Sequence, residues 1–241
     1  GKILQLRKNN NSEFPTSLLP TGAGLLRSLK DAFPLFLRTV SLRGALLLQI
    51  FAATSLGTIA LASNQIIMAL WNFAAYGLDA LATAAQILVG QGLGRKNKTV
   101  VRMVLNRCLR WGFWFGVLTG ISFLLISTFV PHLMSTDDDV RSLSQQILWI
   151  CGILLPIAAI TYMLDGVLIG AGDSQKLAKY MLYSFFSFLP LALGITYFAP
   201  SLGFFGMHFL WISYGLVFMG VRAGTMLWRI RGEEWMIQKN T

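Results

Sequence analysis

The chain has 241 residues, of which 55% are hydrophobic and only 12% charged, with a formal net charge of +10. A soluble domain covers its surface with about 25% charged residues, so this composition argues for a protein solvated by lipid. The basic excess would suggest nucleic acid if it formed one patch, but Lys and Arg fall between apolar blocks, where they act as topology signals.

Taken in chain order, residues 1–30 hold Lys2, Arg7, Lys8, the run Asn9-Asn10-Asn11, Pro15 and Pro20. They contain no apolar signal-peptide stretch and read as a cytoplasmic basic connector. With Gly1 in place of Met, that connector is expected to lie inside a longer polypeptide. Residues 31–230 follow as a bundle of six transmembrane helices, since a span needs roughly 20 mostly apolar residues. The helices are predicted at about 33–55, 59–90, 109–129, 143–169, 177–198 and 204–228. The break Leu56-Gly57-Thr58 divides the first two, and Pro131 stops the third. Pro156 predicts a kink in the fourth and Pro190 lies inside the fifth. Pro200-Ser201 with Gly203 makes the turn before the sixth, and 231–241 form a cytoplasmic tail.

Charge supports this map. With six spans, the segments 1–30, 95–110, 171–179 and 222–241 share one side and hold 17 of the 20 Lys and Arg. The opposite loops hold Arg141 beside Asp137, Asp138 and Asp139. By the positive-inside rule both termini are expected in the cytoplasm of a multi-pass plasma-membrane protein.

Polar residues inside the spans are the candidate site. On the second helix Gln65, Asn72, Asp79 and Gln86 recur every seven residues, with Tyr76 and Thr83 four residues after Asn72 and Asp79. Such spacing puts all six on one helical face. The stripe rises about 31 Å, the thickness of the hydrocarbon core. It lines either a polar cavity, with Asp79 as a cation or proton site, or an interhelical hydrogen-bond seam. In the fourth span Asp165 reads as an interfacial hydrogen-bond cap or a second ionic site. In the first span Arg38 is expected to snorkel to the headgroups, and Arg43 to snorkel or to pair with a carboxylate such as Asp165.

Other features are structural. Gly112, Gly116 and Gly120, and again Gly166 and Gly170, make small-residue ladders for close helix packing. Trp111, Trp114, Trp149 and Trp228 read as interfacial anchors. Cys108 and Cys151 read as small apolar residues. His132 and His208 have no metal-ligand spacing, and no enzyme signature is present.

Three stretches carry a resemblance. They are Leu37-Arg38-Thr39 with Leu56 to Gln65; Leu78-Asp79-Ala80-Leu81-Ala82-Thr83-Ala84-Ala85-Gln86-Ile87-Leu88-Val89-Gly90 ending at Leu93-Gly94; and Leu164-Asp165-Gly166-Val167-Leu168-Ile169-Gly170-Ala171-Gly172-Asp173. In order and spacing they resemble the C-terminal half of multidrug and toxic compound extrusion (MATE) transporters, DinF-like branch. The resemblance implies one lobe of a two-lobe transporter that exports organic cations in exchange for H+ or Na+, with no other cofactor. Its implied partners are the bilayer, a missing N-terminal lobe or a second copy, and a small organic, cationic substrate. Arg95-Lys96-Asn97-Lys98 departs from the Gly-Asp-rich turn common after Leu93-Gly94. The coupling carboxylate best supported in that branch belongs to the other lobe, so neither Asp79 nor Asp165 inherits its role. A related lipid-linked precursor flippase, with Arg38 and Arg43 facing its cavity, or a non-transporting assembly subunit, would also suit a lone lobe.

Overall fold

The computed structural model describes residues 22–236, which are helical throughout with short breaks and contain no strand. The helices are α1 (Gly22–Ser55), α2 (Thr58–Gly94), α3 (Lys98–Ile126), α4 (Phe129–Met134), α5 (Asp138–Gly170), α6 (Ser174–Tyr197) and α7 (Ala199–Leu202). A 3-10 turn then leads to α8 (Gly206–Ile212), a π-helical segment (Ser213–Met219) and α9 (Gly220–Arg231). Six segments are long and apolar enough to cross a membrane: Ala32–Ser55, α2, α3, α5, α6 and Ala199–Arg231. The protein is therefore an all-α, multi-pass membrane bundle.

Several boundaries differ from the apolar runs. α1 reaches back to Gly22, into the stretch expected as connector, and residues 1–21 lie outside the described part, as do 237–241 of the tail. α3 begins at Lys98, well before Leu109, where Asn97 Oδ1 accepts the Val100 amide at 3.1 Å. Hydropathy marks only the lipid-embedded length, whereas a capped basic turn continues as helix into water. Pro131 does not stop α3. It sits early in α4, where its missing N–H costs nothing. Gly57, at φ +104°, makes the break between α1 and α2 in a conformation that residues with a Cβ avoid.

α5 is the central post. α2 and α3 pack along it, while α1 pairs with α6. The glycine ladders are the reason for both α5 contacts. A Cβ at Gly166 or Gly170 would collide with the carbonyls of Ala82 and Gln86, so α2 and α5 touch backbone to backbone and run parallel. On the other side Gly112, Gly116 and Gly120 meet Met163, Ala159 and Gly152 in antiparallel order. Close approach of this kind substitutes for a hydrophobic driving force that lipid cannot supply. Aromatic rings fill the wider gap between α2, α6 and the last span: Trp71 lies 5.6 Å from Trp211 and 5.8 Å from Tyr214, which stacks on Phe218 at 5.2 Å.

The two ends of the bundle are built differently. At the α5 start, Asp137 Oδ1 accepts the amides of Asp139 and Val140 at 2.9 and 3.3 Å, and Asp138 and Asp139 complement the helix dipole. At the basic end the segment after α9 folds back. Trp235 is buried, and its Nε1 donates to the carbonyl of Gly232 at 3.0 Å. Lys98 pairs with Glu233 at 3.1 Å, and Arg229 bridges Asp173 at 2.7 Å and Glu234 at 2.5 Å.

Candidate functional site

The six-residue stripe of α2 lies on one face, turned away from the rest of the lobe. Gln65, Asn72, Tyr76, Asp79 and Thr83 are exposed and Gln86 is half-buried. The opposite face of α2, with Leu78, Ala82, Ala85 and Val89, is buried against α3 and α5. The stripe is thus no hydrogen-bond seam within this lobe. Asp79 accepts no side-chain hydrogen bond among the described residues, although its backbone carbonyl accepts the Thr83 hydroxyl at 2.8 Å.

One layer behind Asp79 is an ionic cluster that three helices assemble. α1 supplies Arg38, α5 supplies Asp165 and Tyr162, and α9 supplies Arg222. Arg38 Nη2 donates to Asp165 Oδ2 at 2.5 Å, and Arg222 pairs with the same oxygen. The side chains of Asp165 and Arg222 are 4% and 1% exposed, that of Arg38 20%. The Arg222 guanidinium also lies over the Tyr162 ring, 5.9 Å from its centroid. Asp165 Oδ1 and the Nε atoms of both arginines have no hydrogen-bond partner. An unpaired charge here would be costly, so the pairing holds the three helices in one arrangement.

The cluster carries two positive charges against one negative. The other carboxylate at this level is Asp79, which makes no ion pair among the described residues but is close enough for its charge to act on both Arg38 and Arg222. The contacts of Ala82 with Gly166 and of Gln86 with Gly170 fix the register of α2 on α5, and they place Asp79 level with Met163, next to Tyr162. Asp79 and the cluster therefore form one electrostatic unit with a buried half and an exposed half.

The remaining expectations fall elsewhere. Arg43 is exposed on α1 and makes no ion pair among the described residues; Arg38 takes Asp165 in its place. Arg38 is consequently no snorkelling residue, and Asp165 is no interfacial cap. Trp111, Trp114 and Trp228 are exposed, while Trp149 Nε1 donates to Ser127 Oγ at 2.8 Å. His132 lies in α4, and His208 Nε2 is 3.0 Å from Gln146 Oε1. Cys151 is buried and Cys108 half-buried. Among the described residues no three His, Cys, Asp or Glu side chains gather as metal ligands.

Arg222 is the residue that sequence reasoning misses, because the charge map counts it with the basic segment 222–241 although it lies inside the span predicted at 204–228. The only available signal was its place before Trp228 within the sixth apolar run. Its inward direction depends on the π segment ending at Met219, which shifts the helical register just ahead of it. The Thr161 hydroxyl donates to the Met219 carbonyl at 3.3 Å, joining that segment to α5.

The family model MatE matches residues 34–198. The chain belongs to the MatE family. Among curated relatives, DNA damage-inducible protein F of Escherichia coli (strain K12) is 27% identical over 200 residues, covering 80% of this chain and 42% of that protein. Protein DETOXIFICATION 44, chloroplastic, of Arabidopsis thaliana is 31% identical over 206 residues, covering 84% and 37%. Protein DETOXIFICATION 43 of the same plant is 28% identical over 218 residues, covering 89% and 40%. The chain spans about two fifths of the length of these MatE relatives. No solved structure matches it. The second and third stretches behind the MATE resemblance are now explained physically: they are the two sides of the α2–α5 contact. Asp79 lies three residues before Ala82 and Asp165 immediately before Gly166, two of the residues that make it.

Proposed function

We propose that this chain is the C-terminal lobe of a secondary active efflux transporter that works by alternating access. The observation that carries the reading is the α2 stripe, a polar face of membrane length directed away from the lobe's own core. Such a face requires water or another protein surface beside it. In the MatE family, and in a chain two fifths the length of its relatives, the natural counterpart is the other lobe across a central cavity. Asp79 supplies the negative charge for a small organic cation or for the coupling ion, H+ or Na+. Gln65, Asn72, Tyr76, Thr83 and Gln86 line the wall. Arg38, Asp165 and Arg222 hold α1, α5 and α9 together behind that wall and set the field at Asp79. The lobe sits in the plasma membrane with both ends in the cytoplasm.

The cation reading is favoured over a flippase for anionic precursors because, of the two arginines such a flippase would turn to its cavity, Arg38 is held by Asp165 and only Arg43 is exposed without an ion pair among the described residues. The deciding measurement is export of an organic cation from cells or vesicles containing the complete transporter, at matched expression. Asp79→Asn is expected to abolish coupled export while leaving abundance unchanged. Unaltered flux in that variant would remove Asp79 from the mechanism and leave an assembly role.

A further inference from the structure

Two helices on different sides of the lobe repeat one exposed pattern. On α3, Arg107, Arg110, Trp114 and Leu118 fall at i, i+3, i+7 and i+11, and all four are exposed. Trp111 beside them is 72% exposed, and the stripe continues through Ile121 and Leu125. On α6, Lys176, Lys179, Tyr183 and Phe186 fall at i, i+3, i+7 and i+10 and are also exposed. Helical periodicity puts each set on one face. Read from the basic end inward, the order in both is cation, aromatic ring, apolar side chain.

Arg107 and Arg110 differ from their basic neighbours. Lys98 is committed to Glu233, Arg229 to Asp173 and Glu234, and Arg102 Nη1 donates to the Ile230 carbonyl at 2.7 Å. Arg107 and Arg110 make no ion pair or side-chain hydrogen bond among the described residues. From Arg110 to Trp114 α3 rises about 6 Å. That matches the layer of about 5–7 Å between the hydrocarbon core and the outer limit of the headgroups. We propose that the Arg107–Arg110–Trp111–Trp114 face of α3 binds the headgroup of an anionic phospholipid. The guanidiniums take the phosphate oxygens, for which their planar fork is suited. The indoles lie at the glycerol and carbonyl level, and Leu118, Ile121 and Leu125 lie along the acyl chains. Charge complementarity selects this occupant over a second copy of the lobe, since a two-fold contact through this face would bring like-charged arginines together. The proposal needs only membrane insertion and is independent of what is transported.

The test is native mass spectrometry of the full chain titrated with phosphatidylglycerol or phosphatidylcholine. Arg107→Gln with Arg110→Gln is compared with Arg95→Gln with Lys96→Gln, which removes the same charge from an exposed turn without aromatic neighbours. The first pair is expected to weaken phosphatidylglycerol binding by roughly fivefold per arginine, about 25-fold in all. The second pair is expected to retain the affinity, and inorganic phosphate is expected not to compete. An equal loss in both variants would reduce the effect to bulk charge and overturn the proposal. Equal binding of the two lipids, full competition by phosphate, or conversion of a dimer to monomer by the α3 variant would each overturn it as well.

Discussion

Asp79 and Asp165 occupy nearly the same depth of the bundle and solve the problem of a membrane carboxylate in opposite ways. Asp165 is enclosed and receives two guanidiniums on one oxygen. Asp79 is exposed and has no side-chain partner among the described residues. Burial with pairing converts a costly charge into a geometric constraint, because α1, α5 and α9 must all be in place to satisfy it. Exposure leaves a carboxylate free to change partners, which is the property a binding residue needs. The contrast also divides labour along α2 and α5: the glycine-lined contact fixes the distance between the two acids, and only one of them can respond to a ligand.

The largest effect expected is on the buried side. Asp165→Ala leaves Arg38 and Arg222 without their buried ion-pair partner and should lower stability by about 3–5 kcal/mol. It would be read as a fall in thermal midpoint and in folded abundance after detergent extraction. Replacing the whole cluster, with Arg38→Met, Asp165→Leu and Arg222→Met, should restore most of that loss, since no buried charge is then left unpaired and Asp79, the acid that remains, is exposed. Failure of the triple variant to recover would mean that the cluster specifies the fold, and not merely its own neutrality. Next in size is Gly166→Leu, which drives a side chain into the Ala82 carbonyl. Overpacking of this kind costs about 1–3 kcal/mol. Because it spreads α2 from α5, it should also impair export even though Gly166 touches no substrate.

The same contrast explains what could be read from the residues alone. Six spans were visible because lipid demands apolar length, a requirement that composition records directly. The α2 stripe was visible because seven-residue spacing survives on an uninterrupted helix. Whether the stripe formed a seam or a free face was not, since periodicity says which residues share a face and nothing about what covers it. The Arg38–Asp165–Arg222 cluster was hidden for a related reason. Its members are separated by 127 residues between Arg38 and Asp165, and Arg222 is aimed by a π segment that regular periodicity does not anticipate. Asp165 stands out as the one charge of its span, but spacing does not choose its partner: Arg43 is offered as either snorkelling or pairing with it, and Arg38 is the arginine that reaches it.

The smallest effect is the most informative one. Asp79→Asn removes a carboxylate that is exposed and, among the described residues, bonded to no side chain, so its contribution to stability is its screened attraction for Arg38 and Arg222. Interactions of that type are worth about 0–1 kcal/mol. The thermal midpoint of the purified lobe should therefore barely move, in contrast to Asp165→Ala measured beside it. A drop as large as that of Asp165→Ala would show that Asp79 is a fourth member of the buried cluster, with a structural duty its exposure conceals. A small drop combined with lost export would separate the two acids cleanly, since a residue that can be neutralised without structural cost but not without functional cost must act on something the lobe itself does not contain.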